Sequence, residues 1–178
     1  MTNRILSCPF PTSINPLSPN GFKFAIDKLP ELTYFCQEVT IPDIILGEAT
    51  QSTPFTSIPL PGDQVTYGTL SIGFLVDSNL ANYKAIHNWI TGLGFPINNK
   101  QYTDFVSGGR NPTIGEGGNA YSDGTMGLLD GQNNVIANIH FVDLVPTALQ
   151  GLSFTTTSQD VQYLVGRVDF RYTYYEFI

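Results

Sequence analysis

The sequence has little charge, little cysteine and no long apolar run. Only 13% of its 178 residues are charged, against about 25% in an ordinary soluble domain. Eight basic residues against fifteen acidic ones give a net charge of −7. This excess of acidic residues argues against a protein that binds nucleic-acid phosphates, because such proteins carry a basic patch. Two cysteines are too few for a disulfide scaffold. We expect Cys36 to be a half-buried thiol in a strand and Cys8 to lie in an N-terminal arm.

No segment has the composition of a membrane span or of a secretory signal. Apolar runs fall short of the length of a spanning helix, and the first residues lack the apolar segment of a signal peptide. We therefore expect a protein that is made in a cytoplasm and has no membrane partner. Aromatic residues are frequent, at 12%. Low charge combined with many aromatics suggests that other copies of the chain cover part of its surface.

Motifs for catalysis and for ligand binding are missing as well. The chain has no nucleophile elbow, no phosphate loop and no dinucleotide fingerprint. His87 and His140 do not stand at a metal-ligand spacing from each other or from the cysteines, so we expect both to be structural. The Asp-Gly pairs at 123–124 and 130–131 predict turns rather than calcium loops. We expect a protein that is not an enzyme and uses no metal or cofactor.

Alternating apolar residues predict a mainly β domain over residues 21–178. Strands are expected at 22–26 and 34–39, forming a hairpin, at 65–76, and at 135–145, where Pro146 would end the last of them. One helix is expected after Asp77 or Ser78, either of which can cap it. Its apolar stripe consists of Leu80, Tyr83, Ile86 or His87, Ile90 and Leu93, with Trp89 at the edge of the stripe or outside it.

Two segments have no clear periodicity. Residues 1–20 contain four prolines and predict an N-terminal arm, either a disordered tail or a docking arm. Residues 97–134 are rich in glycine and asparagine and predict an insertion. Between the second and third strands, residues 41–63 are also rich in proline, but they hold too many apolar residues for a solvated loop. We expect some short strand pairing and a contact surface there, made of Ile44, Ile45, Leu46, Phe55, Ile58 and Leu60.

The C-terminal stretch, residues 161–178, predicts one strand of roughly 17 residues and about 55 Å, well beyond the usual length. We expect Gly166, where the apolar phase changes, to be a bulge. The apolar face would consist of Val168, Phe170, Tyr172 and Tyr174, and the polar face of Arg167, Asp169, Arg171 and Thr173. This polar row suits either a seam between subunits or a solvated face. So long a strand suggests a sheet shared between copies.

The order of these elements resembles the tail-tube proteins of contractile-tailed bacteriophages, whose fold is shared with secretion-system tube proteins. The resemblance rests on the opening strands at 21–26 and 34–37, the turns at 41–42, 61–64 and 144–147, the helix at 79–92 with its Trp89, and the aromatic end at 174–177. It covers most of the chain except the insertion at 97–134.

The resemblance implies an antiparallel β-sandwich or small barrel with one flanking helix. It also implies a structural virion protein, the subunit of hexameric rings that stack into a hollow tail tube for DNA passage. The segment between the second and third strands would make the ring-to-ring contact. The row of Arg167, Asp169, Arg171 and Thr173 would face the lumen or a neighbouring subunit. Expected partners are the chain itself, sheath, tape-measure and baseplate proteins, with DNA only in transit.

Two alternatives remain open. The insertion suits a baseplate tube initiator or a tail-terminus protein of the same fold, which is present in few copies. A different class, a receptor-binding or carbohydrate-binding β-sandwich, is suggested by the aromatic residues Tyr102, Phe105 and Tyr121 in the glycine-rich region.

Overall fold

A computed structural model describes residues 17–94, 96–100, 103, 120–156 and 163–178. The elements in chain order are β1 (Phe22–Ile26), α1 (Pro30–Phe35), β2 (Cys36–Val39), β3 (Ile44–Ser52), β4 (Ser57–Tyr67), β5 (Leu70–Leu75), α2 (Ala81–Gly94), β6 (Ser122–Leu129), β7 (Val135–Leu149), β8 (Val165–Arg171) and β9 (Tyr174–Phe177). Most of the expected arm at 1–20 and much of the expected insertion at 97–134 lie outside the described residues. Their boundaries remain predictions.

The chain is mainly antiparallel β, as predicted. Seven strands form a sheet in the order β1-β6-β7-β8-β5-β2, and β9 pairs with β7. The long strand β7 links the two halves of this sheet, because β6 and β9 pair along its first part and β8 pairs with its last residues. The end strands β1 and β2 are not partners in this order, so the described sheet is open rather than a closed barrel. Strands β3 and β4 form a separate two-stranded hairpin.

Alternation along the strands builds one apolar core from both halves of the sheet. Every second residue of β5 and β8 points inward, and the same holds for β1 and the middle of β7. The large, fully buried side chains of these strands are Phe24, Ile26, Leu70, Ile72, Phe74, Ile139, Phe141, Leu144, Val168 and Phe170. Each such side chain stabilises the fold by about 1.5–3 kcal/mol relative to an exposed one.

Helix α2 flanks the sheet, as predicted, and Tyr83, Ile86, Ile90 and Leu93 of the expected stripe pack on the core, but the centre of the buried face differs from the prediction. Trp89 was expected at the edge of the apolar face or outside it, and this was wrong: its side chain is buried and its ring centroid lies 6.1 Å from that of Phe170. The most buried helix residues are Asn82, Ile86, Trp89 and Gly92. The start of the helix is organised by the buried Asn82, whose Oδ1 accepts from the amide nitrogens of Asp77 and Tyr83. Its Nδ2 donates to the carbonyl oxygen of Leu75 at 2.7 Å.

The expected hairpin between the first two strands was wrong. Strand β1 pairs with β6, and β2 pairs with β5. The segment between β1 and β2 forms the short helix α1, with Pro30 in its first turn, where a missing amide hydrogen costs nothing. Leu29 and Leu32 are buried in the core. The segment that contains these two leucines packs against the core between the two strands. Strands β1 and β2 therefore lie at opposite ends of the strand order.

Strand β6 lies within the region read from sequence as an insertion without periodicity. It is an interior strand that pairs with β1 and β7. Its glycines interrupt the apolar alternation, so the sequence did not predict this strand. Close packing explains their presence. A Cβ at Gly124 would lie 2.5 Å from Cδ1 of Leu144, and Gly127 is buried.

Two predicted strand ends were also wrong. Strand β7 does not end before Pro146 but continues to Leu149, and the register of its pairing with β8 shifts between Pro146 and Ala148. An irregularity of this kind accommodates a residue that cannot donate to the ladder. The strand expected at 65–76 is divided into β4 and β5. The division falls at Gly68, whose amide donates to the carbonyl oxygen of Asp43 at 2.9 Å.

The predicted single C-terminal strand is two strands. Strand β8 ends at Arg171 and β9 begins at Tyr174, and the two pair with different parts of the sheet. The expected bulge at Gly166 was wrong, because the register between β5 and β8 is continuous through this residue. Val168, Phe170 and Tyr172 lie toward the core as predicted. The break changes the phase, so Tyr175 packs on the core and Tyr174 is exposed.

Candidate assembly surfaces

The described residues contain no group of three or more His, Cys, Asp or Glu side chains that could hold a metal ion. None of the helices in the described ranges is long and apolar enough to cross a membrane. His87 lies on α2, and His140 lies on β7 with its Nδ1 3.5 Å from Oγ1 of Thr125. Cys36 is half-buried in β2, and burial raises the pKa of its thiol to about 11. A thiol of this kind is a poor nucleophile at neutral pH.

Two cavities beside α1 are small. Their volumes are about 130 and 260 Å³, below the range of about 300–1,000 Å³ that is typical of ligand pockets. Lys28 lines the smaller one, and its Nζ lies 4.6 Å from the centroid of the Trp89 ring. Burial lowers the pKa of Lys28 to about 8, because desolvation disfavours the ammonium form.

The most unusual surface is the hairpin formed by β3 and β4. The six residues expected to form a contact surface all lie on it, and all six are exposed: Ile44, Ile45, Leu46, Phe55, Ile58 and Leu60. Val65 belongs to the same surface but was assigned from sequence to the next strand. Phe55 is 97% exposed at the tip. The pairing is longer than predicted, with nine residues in β3 and eleven in β4.

The register places apolar residues on both faces of this hairpin. Near its tip, Ile58 and Leu60 share a face, since they are two residues apart on one strand. Near its base, Leu46 pairs with Val65 and Ile44 pairs with Tyr67. The register shifts between Leu46 and Glu48. There the backbones of Gly47 and Gly62 meet so closely that a Cβ on Gly62 would lie 2.5 Å from the carbonyl oxygen of Gly47.

An aromatic cluster joins the base of the hairpin to the C-terminal strands. The Tyr67 ring centroid lies 5.9 Å from that of Tyr172 and 5.5 Å from that of Tyr175, and Phe141 contacts both of these. The Tyr172 hydroxyl is buried without a hydrogen-bond partner in the described part of the chain. Desolvation is the main cause that raises its pKa to about 12. This cluster attaches the hairpin to the domain through Tyr67, the last residue of β4.

The predicted polar row lies on the outward side of β8 and just beyond it. Nη2 of Arg167 donates to Oε2 of Glu38 at 3.0 Å, and Oγ of Ser71 donates to the Asp169 carboxylate. Arg171 is exposed, and Oγ1 of Thr173 donates to the carboxylate of Asp143 at 3.1 Å. Strand β8 pairs with β5 on one side and β7 on the other. Arg167 and Asp169 can therefore meet a lumen or a neighbour through the face of the sheet, not through a free edge.

The free edges of the described sheet are elsewhere. Strands β1 and β2 end the strand order, and β9 pairs only with β7 in the described ranges. Large apolar side chains are exposed next to the β9 edge, with Phe177 66% and Ile178 72% exposed. Reasoning from sequence included these two residues in a single long strand but assigned no exposed edge to them. The run of aromatics at 174–177 was the signal that could have located them.

No family model matches this chain, and no curated protein matches it. Solved structures do match. A chain in the structure of the anti-feeding prophage cap, its tube-terminating cap, has a TM-score of 0.64 at 14% identity and 98% coverage of both chains. A chain from the six-fold symmetrised baseplate of the same particle has a TM-score of 0.63 at 14% identity, over 93% of this chain and 97% of that one. A chain from an extended sheath–tube complex of the extracellular contractile injection system PVC has a TM-score of 0.56 at 14% identity, with coverages of 92% and 91%.

These similarities show that the chain has the fold found in tube, cap and baseplate structures of contractile injection systems. They extend over nearly the whole chain, which confirms the predicted fold class. At 14% identity they establish the fold alone, and function has to be argued from the surfaces.

Proposed function

We propose that this chain is a non-enzymatic structural subunit of a phage-like contractile tail, and that six copies form a ring that stacks into a hollow tube. The observation that carries the proposal is the β3–β4 hairpin, with seven large apolar residues exposed on both of its faces and at its tip. The supporting fold similarity comes from tube, cap and baseplate structures of this kind of apparatus.

The hairpin needs a partner for physical reasons. A two-stranded ribbon is marginally stable in water by itself, and contiguous exposed apolar patches are rare on monomers and mark interaction sites. Among the described residues, the ring contacts between this hairpin and the domain lie at its base, where Tyr67 packs against Tyr172 and Tyr175. Its insertion against the next ring would bury Phe55, Ile58 and Leu60. A contact between unlike surfaces of successive rings is heterologous and open, so it generates a filament.

The charge of the chain suits a tube through which DNA passes without binding to the wall. The net charge of −7 disfavours retention of DNA. Two charges on the β8 face have local partners, since Arg167 binds Glu38 and Asp169 accepts from Oγ of Ser71. We propose that this face, with Asp169, Arg171 and Thr173, lines the lumen or meets a neighbouring subunit. Sheath, tape-measure and baseplate proteins would be its partners, the tail of the particle its location, and DNA a transient passenger.

Light scattering tests this proposal by measuring the particle size of the purified wild-type protein and of a hairpin variant. The wild type is expected as particles of six chains of 19.5 kDa each, and as longer stacks at high concentration. Phe55→Ser with Ile58→Thr should preserve six-chain particles and abolish the stacks. Phe154→Ser is the matched control, since Phe154 is also exposed but lies outside the hairpin. Equal stacking in both variants would exclude the hairpin as the ring-to-ring contact.

A second candidate is a baseplate tube initiator or a tail-terminus protein with the same fold. Its specific support is that chains from the cap and baseplate structures match with TM-scores of 0.64 and 0.63, against 0.56 for the sheath–tube chain. The number of copies in each particle distinguishes these two roles. About six copies would identify an initiator or terminator, whereas many tens would identify the repeating tube subunit.

The carbohydrate-binding alternative has less support. Of its three aromatic residues, Tyr121 is 49% exposed before β6, and Tyr102 and Phe105 lie outside the described residues. A glycan array without hits, together with ring formation, would remove it.

A further inference from the structure

We propose that each ring closes by antiparallel pairing of the β9 edge of one copy with the β1 edge of the next. The inference rests on the proposed ring-forming function and names the two surfaces that meet. From sequence, the row on 167–173 was expected to face either the lumen or a neighbouring subunit. The structure instead offers two complementary free edges in another part of the sheet.

Both edges belong to one antiparallel series of strands. The order is β1, β6, β7 and β9, so β1 and β9 are its two ends. In the described part of the chain, each of these end strands pairs on one side only. An unpaired edge presents a row of free backbone donors and acceptors, which soluble proteins cover or pair. Joining one end to the other between copies pairs both of these edges in a closed ring.

The strand directions allow this pairing. Three antiparallel steps separate β1 from β9, so the two strands run in opposite directions within one copy. Rotation about a ring axis that lies roughly along the strands preserves their direction. The β9 strand of one copy therefore meets the β1 strand of the next in the antiparallel sense. The lengths also match, at four and five residues.

The side chains of the two edges are complementary. Lys23 on β1 and Glu176 on β9 are both exposed, and the register places them on the same outward face. On the inward face, Phe177 pairs with the buried Ile139 but is itself 66% exposed, because β9 pairs on one side only within the described ranges. A β1 strand from the next copy would cover Phe177 with its half-buried Phe22.

The third edge, β2, is a poorer partner for β9. The one charged residue on β2 is Glu38, which already binds Arg167. A seam between β9 and β2 would place like charges, Glu38 and Glu176, at the same junction. Opposite charges across paired strands stabilise a sheet and like charges destabilise it. Charge therefore favours β1 over β2 as the partner.

Cysteine cross-linking tests the seam in the full chain. In a background with Cys8→Ser and Cys36→Ser, K23C and E176C are introduced together, and the assembled protein is oxidised with diamide. We expect a ladder of covalent multimers that ends at six chains. The pair E38C and E176C is the control for the β2 edge and should give no ladder.

Charge reversal gives a second readout: K23E should weaken ring formation at least tenfold, and K23E with E176K should restore it. Lys84→Glu, an exposed reversal on α2, should leave ring formation unchanged.

The outcomes separate this inference from the proposed function. Rings that form without cross-links between positions 23 and 176, or with cross-links between positions 38 and 176, would overturn the seam and leave the ring-forming function standing. A wild-type protein that forms no rings would overturn both. Rescue by the double reversal, together with the six-chain ladder, would support the seam.

Discussion

The ring of Phe74 on β5 fills the space beside the Cα atom of Gly166 on β8. The two residues are register partners, and a Cβ at position 166 would lie 2.7 Å from Cζ of Phe74. Gly166 is therefore a packing requirement at the centre of the sheet and not the bulge that its place in the sequence suggested. This close approach permits β5 and β8 to remain paired over six residues while Phe74 is fully buried.

Gly166→Ala should destabilise the fold. The added methyl group must displace the Phe74 ring or separate two central strands, and overpacking of a core usually costs about 1–3 kcal/mol. The free energy of unfolding from urea titration measures the effect. Gly131→Ala is the control, because nothing lies within 4 Å of a Cβ at that position. Equal stability of the two variants would show that Phe74 does not occupy this space.

Asn82→Ala should loosen the start of α2. The substitution removes the acceptor for the amides of Asp77 and Tyr83 and the donor to the Leu75 carbonyl oxygen. Buried groups that lose their partners cost about 1–3 kcal/mol. Asn88→Ala on the exposed side of the same helix should change stability by less than about 0.5 kcal/mol. Chemical denaturation of both variants gives the comparison, and an equal loss in both would contradict the assigned role.

Lys28 should make stability depend on pH in the alkaline range. Burial lowers its pKa from 10.5 to about 8 in the folded state. Between these values the unfolded chain holds more protons than the folded chain, so the free energy of unfolding rises as pH increases. Cys36 and Tyr172 have raised pKa values and act in the opposite direction at higher pH. Measurements between pH 7 and 9 therefore follow mainly Lys28, because the opposing effect of the Cys36 thiol begins only near its ordinary pKa of 9.0.

The control for this prediction is Lys28→Met. The wild type should gain stability from pH 7 to 9, and the variant should lose most of that gain, because it has no amine to titrate. An identical pH profile for the two proteins would mean that the Lys28 amine keeps its ordinary pKa in the folded state.

Deletion of residues 173–178 should abolish assembly. The deletion removes β9, with its free edge and the exposed Phe177, and also Tyr175, which packs on the core. Lys84→Gln, an exposed substitution on α2, is the control and should still assemble. Circular dichroism must first show that the truncated chain retains its β structure. Rings from a folded, truncated protein would show that this strand serves the core alone.

Sequence patterns predicted the interior of the fold well wherever alternation was regular. The inward faces of β1, β5 and β8 follow from simple period-two patterns, as Phe24, Ile72 and Phe170 show. The hairpin surface was also found from sequence, because apolar residues such as Phe55 and Ile58 among prolines do not suit a solvated loop.

The errors arose where tertiary contacts override local patterns. Strand β6 was missed because Gly124 and Gly127 are set by close packing, which has no periodic signal. The break at 172–173 was missed because Tyr172 and Tyr175 both pack on Phe141, and only the fold shows that the chain must change phase between them. The free edges of the sheet depend on its strand order, which local patterns do not contain.

A negative-stain micrograph of the purified protein tests the central claim most directly. The account predicts ring-shaped particles whose class averages show six-fold symmetry and a central channel, with stacks or tubes at high concentration. A strictly monomeric protein at high concentration, also when mixed with baseplate components, would contradict it.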